Sequence, residues 1–434
     1  MRRIQVSENK RFLVYEDGTP FFWLGDTAWE LFHRTTREEA EYYLENRLQK
    51  GFNVIKAVIL AEFDGLHVPN AYGDLPLHDD DPARPNERYF RYVDTILDLA
   101  AEKGLYVGLL PTWGDKVNLM WGLGPVIFDD QNARAYGEFV GSRYASRPNV
   151  IWIIGGDRPE QSPDGADYSS VWRAMVSGIQ SATNGKAFFT YHPMGQRSSA
   201  MGFHDDDWLH LNMWQSGHMA RDLPNWEWIA QDYARTPVKP VLDGEPAYED
   251  HPIDPFTRKW APEYGRFRAY DVRKQAYRAV FAGACGHTYG HHSIWQMYSP
   301  ERVPVNFPHP FWREALNRPG AGQMMFLRQL LEAWPYLTRV PDQTLLISEP
   351  GEGPYHVQAT RASDGSYALV YIPTEDQTVR IDMSKFASNN VRIQWFDPRH
   401  GTTTPLGKIH GASVAEFTTP QEGPDWVLML DCLG

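Results

Sequence analysis

The chain has 434 residues, 42% of them hydrophobic and 14% aromatic, with a formal net charge of −13 and a pI near 5.6. This acidity excludes the basic footprint of a nucleic-acid-binding protein, and no apolar run approaches the length of a membrane span. The size suits one barrel-sized domain followed by a smaller one.

Sixteen Trp and 22 Tyr favour a carbohydrate partner, because aromatic faces stack on the C–H faces of sugars. Cys285 and Cys432 lie far apart in strand-like runs and read as free thiols. No apolar stretch follows Met1-Arg2-Arg3-Ile4, so no signal peptide is expected. That leaves a cytoplasmic protein or a trimmed secreted or periplasmic one.

The N-terminal segment predicts a strand at 12–15 and a turn at 16–19. The near-continuous apolar run Phe21-Phe22-Trp23-Leu24-Gly25-Asp26 suits a parallel strand buried on both faces. Thr35-Thr36 can cap a helix running to Lys50, with Gly51 beyond its end. The run 53–60 is the next strand. From there to Asn86 the chain is irregular and rich in Asp, Pro and His, the texture of a functional loop.

Alternation then continues. A helix with one face on Phe90, Val93, Leu97 and Ala100 leads to a strand at 105–110, and a helix at 131–145 leads to Val150-Ile151-Trp152-Ile153-Ile154, closed by Gly155-Gly156-Asp157. A helix at 167–184 precedes strand five at 187–191, and strand six is placed at Trp208–Asn212. A helix at 225–235 precedes strand seven, Val241-Leu242-Asp243-Gly244-Glu245. A helix at 267–283 precedes strand eight at 286–289, and a last helix covers 321–333. Eight β-then-α units predict an α/β fold, a (β/α)8 TIM barrel, over residues 1–340. No Gly-x-Gly-x-x-Gly follows the first strand, which counts against a dinucleotide-binding sheet. From 341 to 434 the helical period gives way to five short alternating runs separated by turns, the pattern of a small antiparallel β-sandwich.

A barrel presents the residues after each strand on one face. The acids there are Asp26, Glu62, Asp64, Asp115, Asp157 and Glu245. Strands four and seven sit across the rim from each other, so Asp157 and Glu245 form the candidate catalytic pair. One would protonate a glycosidic oxygen while the other attacks the anomeric carbon. The structural alternatives are a helix cap or an Arg158 ion pair for Asp157, and an ion pair for Glu245.

Substrate-binding candidates are Asp26, Trp29, Trp113, His192, Asn212, Trp214, His291 and Trp295, with Gln215 as a further polar group. His67, His192, His287, His291 and His292 also fall near strand ends, but the first strand lacks His-x-His. No metal and no organic cofactor is therefore expected. Serine and cysteine nucleophiles lack a Gly-x-Ser-x-Gly elbow.

The motifs Phe-Trp-Leu-Gly-Asp-Thr-Ala-Trp at 22–29, Gly-Phe-Asn-Val-Ile at 51–55, Trp-Ile-Ile-Gly-Gly-Asp at 152–157 and Asp-Gly-Glu-Pro-Ala-Tyr-Glu at 243–249 resemble the apiosidase-like bacterial glycosidases, glycoside hydrolase family 140 and its relatives. Trp-Phe-Asp-Pro-Arg-His-Gly at 395–401 resembles the C-terminal domain of the same proteins, which carries a collagen-binding label. The resemblance implies a retaining, exo-acting glycosidase that releases apiose or another pentose from a plant polysaccharide or oligosaccharide. Asp157 would be its acid/base and Glu245 its nucleophile. The commoner clan pattern places Asn-Glu after strand four; here Gly156-Asp157 supplies a shorter acid, so the loop must bring it closer to the sugar. Two alternatives stand beside this reading: a non-catalytic carbohydrate-binding protein on a barrel scaffold, and a metal-dependent barrel hydrolase.

Overall fold

A computed structural model describes residues 1–433. Three short strands at Ile4–Val6, Leu13–Tyr15 and Pro20–Phe21 form an antiparallel sheet. Phe21 meets Tyr106 edge-on at 5.3 Å. The sheet therefore covers the end of the barrel where strands begin.

The barrel strands are Trp23–Thr27 (β1), Val54–Leu60 (β2), Tyr106–Thr112 (β3), Val150–Gly155 (β4), Phe189–His192 (β5), Asn212–Gln215 (β6), Val241–Asp243 (β7) and Gly286–Tyr289 (β8). They pair in parallel in the order β5-β4-β3-β2-β1-β8-β7-β6. A parallel bridge between Thr190 and Leu211 closes the ring.

Alternation along β2 explains the layering. Ile55, Ala57 and Ile59 cluster with Val93, Ile96 and Leu97 of the helix Glu87–Glu102. Val54 and Val58 cluster instead with Leu110, Ile151 and Ile153. Lys56 shares that second face, and Gly108 makes room for it: a Cβ there would stand 3.2 Å from Lys56 Cγ and 2.7 Å from Ile153 Cδ1.

The helices follow the sequence pattern. Thr36 caps Arg37–Gln49 through a reciprocal bond pair with Glu39, and Gly51 sits at φ 78° just past its end. The helix Ala269–Phe281 is buried from Asp271 onward because it packs between the barrel and the C-terminal sheet.

Strand six differs from expectation. The run from Trp208 turns on a Leu209 N–H to Asp206 carbonyl bond; pairing starts with the Leu211 bridge to Thr190, and the strand itself runs from Asn212 to Gln215. The strand therefore ends at Gln215 instead of Asn212, which puts Gln215 at the rim.

The C-terminal part opens with a strand at Arg339–Pro341 (β9). It continues through Gln358–Ala362 (β10), Tyr367–Ile372 (β11), Thr378–Asp382 (β12), Asn390–Asp397 (β13), Thr402–His410 (β14), Val414–Thr418 (β15) and Trp426–Cys432 (β16). The first sheet runs β9-β10-β11-β16-β13-β14, all antiparallel, and β12-β15 form a second. Ala368, Val370 and Ile372 face the inter-sheet core with Val379 and Ile381. Leu369 and Tyr371 face the barrel, where Tyr371 stacks on Tyr277 at 5.0 Å. The buried Arg273 guanidinium donates to Asp425 Oδ2 at 2.7 Å and ties the same seam.

Candidate active site

The mouth of the barrel holds a cavity of about 700 Å³. Its deeper wall carries Trp29, Trp113, Tyr248 and Trp295, all buried, and its outer wall carries the exposed Trp121, Leu123 and Phe256. Asp157 and Glu245 both face it.

Asp157 arrives on a turn that most sequences could not adopt. Gly155, Gly156 and Asp157 have φ of 90°, 129° and 54°. A Cβ on Gly155 would lie 2.5 Å from the His192 carbonyl, and one on Gly156 would lie 2.8 Å from Gly114 N. Left-handed backbone costs free energy at a non-glycine residue, and such strain collects at functional sites. The tight turn thus holds the short acid against the cavity. Glu245 follows β7 directly; its own N–H and that of Gly244 both donate to the Trp214 carbonyl (3.3 and 2.8 Å). Lys56 Nζ donates to the Gly244 carbonyl from inside the barrel.

One amide joins the two acids. Gln215 Nε2 donates to Asp157 Oδ1 at 3.1 Å and to Glu245 Oε1 at 3.2 Å. Asp157 Oδ2 also accepts from Trp121 Nε1 and from an Arg158 NH group, both at 3.3 Å. Glu245 Oε2 accepts from His192 Nε2 at 2.9 Å, and Oε1 from His218 Nε2 at 3.3 Å. The tautomers follow from the backbone. The Asp157 N–H donates to His192 Nδ1 and the Tyr248 N–H to His218 Nδ1, so each Nε2 carries the hydrogen.

These environments push the two carboxyls apart. Burial alone would raise Glu245, but the His192 and His218 hydrogen bonds outweigh it and hold the group well below the usual range. Asp157 is raised, first by desolvation in the cavity and then by the Glu245 charge, against the pull of Arg158. One carboxyl kept ionised beside one biased toward the protonated form is the division of labour that two-carboxylate hydrolysis needs. Lys56, lowered to about 8 by burial, lies 4.4 Å over the Trp29 ring and contributes positive charge toward Glu245.

The structure brings together Trp29, Trp113, His192 and Trp295 with the two acids. Trp29 and Trp113 pack on His192, at 5.2 and 6.0 Å between ring centres. Trp295 is held by a bond from its Nε1 to His292 Nδ1 at 3.2 Å.

Four expected binding residues are corrected. Asp26 points into the helix layer, where Arg47 Nε lies 2.7 Å from its carboxylate and the Tyr43 hydroxyl donates at 2.6 Å. Asn212 and Trp214 occupy the outer face of β6, since alternation along the strand turns Met213 and Gln215 inward. Asn212 meets His204 and Trp214 stacks on Trp228 at 5.4 Å. His291 is buried against Asp250 at 3.2 Å. His67 joins Asp64 and Asp80 on the surface. Among the described residues no three His, Cys, Asp or Glu side chains converge as metal ligands. Two residues absent from the sequence reading, His218 and Tyr248, line the cavity. They sit in loops with no periodicity to mark them; Tyr248 falls within the 243–249 motif, whereas nothing flagged His218.

Such a pair of acids at the mouth of an eight-stranded barrel fits a glycoside hydrolase, and the comparisons show the chain to be one. Comparison with known proteins gives the particular group. The family described as "Apiosidase-like, catalytic domain" matches residues 7–338, and this chain belongs to it. Residues 340–431 match the family "Putative collagen-binding domain of a collagenase". A solved structure titled "Glycoside hydrolase" is 33% identical with a TM-score of 0.89, covering 99% of this chain and 97% of that one. A glycoside hydrolase family 5 structure from Bacteroides vulgatus is likewise 33% identical at a TM-score of 0.89, covering 99% and 93%. A family 5 mannosidase from Rhizomucor miehei, 14% identical with a TM-score of 0.52 over 75% of this chain and 96% of that one, shares the barrel fold. No curated protein matches the chain. No helix among the described residues is long and apolar enough to cross a membrane.

Proposed function

We propose that this glycoside hydrolase is exo-acting and retaining, releasing a terminal pentose, apiose or a relative, from a plant oligosaccharide or polysaccharide. The observation that carries the retaining assignment is the shared Gln215 amide. Two hydrogen bonds of 3.1 and 3.2 Å from one nitrogen keep those carboxylate oxygens closer than the roughly 6.5 Å at which inverting pairs begin. A pocket that narrows to the buried Trp29, Trp113, Tyr248 and Trp295 at the barrel mouth supports action on a chain end. The pentose assignment rests on membership of the apiosidase-like family.

In this reading Glu245 attacks the anomeric carbon as Asp157 delivers its proton to the leaving oxygen. The C–O bond to the leaving group breaks and a glycosyl ester on Glu245 forms. Asp157, now ionised, takes a proton from water, which attacks the same carbon and releases Glu245. His192 and His218 hold the nucleophile ionised and aimed throughout. Aryl pentosides, hexosides and pectin oligosaccharides identify the substrate, and proton NMR of the first anomer released tests the stereochemistry. Retention is expected; inversion would overturn the mechanism.

A further inference from the structure

Six acids stand at the strand mouths, and five have protein partners. Asp26 is paired with Arg47, Asp64 with His67, Asp115 with Lys116 and the Gly124 N–H, and Asp157 and Glu245 with the donors described above. The sixth, Glu62, lines the cavity. Among the described residues its carboxyl has no hydrogen-bond or ion-pair partner. The side chain is half-buried on the cavity wall, so its carboxyl meets the cavity rather than a protein donor, and a ligand seated there can complete it.

The local backbone fixes its aim. Glu62 lies two residues beyond β2, and its carbonyl accepts from the Gly65 N–H at 3.1 Å. Phe63 and Asp64 take φ of 52° and 62°. A Cβ on Gly65 would stand 2.6 Å from the Ala61 carbonyl oxygen, so the turn admits glycine only. Phe63 anchors the turn against Trp295, at 5.5 Å between ring centres.

We propose that Glu62 is a specificity-determining residue whose carboxyl hydrogen-bonds a hydroxyl of the bound sugar. Burial first, and then the negative charges of Glu30, Asp115 and Asp157, favour its neutral form against the pull of Arg158. A neutral carboxylic acid both donates and accepts, which matches a sugar hydroxyl. The inference rests on the glycosidase reading of the same cavity.

The test compares wild type, Glu62→Gln and Glu62→Ala on the best aryl pentoside of the panel, with a melting curve for each. Glutamine also donates and accepts, so Glu62→Gln should hold KM within about three-fold, while Glu62→Ala raises KM about ten-fold with little change in kcat. The melting temperature of Glu62→Ala should stay level or rise, since an unpartnered group is removed; a purely structural role would lower it. Equal losses in both variants, or an unchanged KM in Glu62→Ala, would overturn the assignment. Glu245→Gln, run alongside, separates the two readings. If it cleaves as well as wild type, the catalytic assignment fails while the Glu62 comparison stands. If wild type cleaves nothing on the panel, both fail.

Discussion

Removing the His192 donor isolates what holds the nucleophile ionised. Its Nε2–H meets Glu245 Oε2 at 2.9 Å, and both side chains are buried. A hydrogen bond to a charged acceptor contributes about 1.5–3 kcal/mol, and one pKa unit corresponds to about 1.4 kcal/mol. His192→Leu should therefore raise the Glu245 pKa by roughly one to two units, because burial then acts with one histidine fewer opposing it. The sign is fixed: Glu245 must be ionised to attack, so activity falls as pH drops through its pKa. The assay is kcat/KM against pH on an aryl glycoside. Wild type should hold its activity to the acid limit of the folded protein. His192→Leu should show an acidic limb one to two units higher, below which rate falls tenfold per unit. His192→Gln, which can still donate, should recover most of the shift. An unchanged acidic limb in His192→Leu would refute the reasoning.

Three other outcomes follow from the same geometry. Arg273→Met leaves the fully buried Asp425 carboxylate uncompensated and should cost about 3–5 kcal/mol by urea denaturation, with much of it regained in Arg273→Met/Asp425→Leu. Trp113→Ala, on the cavity wall, should raise KM on aryl glycosides, whereas Trp214→Ala, stacked on Trp228 outside the barrel, should lower the melting temperature and leave KM alone. Dialysis against EDTA should leave activity within about two-fold, since no ligand cluster converges among the described residues.

The barrel was legible because its strands are apolar on both faces and its helices carry caps and periodic stripes. Val54–Leu60 and Val150–Gly155 announce themselves this way. Asp157 and Glu245 could be singled out because they end strands four and seven, which lie across the rim from each other. What failed was register. A one-residue change reverses which face a strand residue occupies. Thus Asp26 turned toward Arg47 and Tyr43, and alternation along β6 sent Asn212 and Trp214 outward while Gln215 faced the cavity. In the C-terminal part, β14 went unseen because exposed side chains run through it, and β15 because only Ala415 and Phe417 turn toward the core. His218 is set by a loop whose shape only the assembled barrel defines.

The most direct test of the account is covalent trapping. The 2-deoxy-2-fluoro, activated-leaving-group form of whichever glycoside the enzyme cleaves slows release of a glycosyl-enzyme more than its formation. Mass spectrometry of the digested protein should then find the sugar on the peptide carrying Glu245, in wild type and in Asp157→Asn but not in Glu245→Gln. A label on another residue, or turnover with inversion and no label, would contradict it.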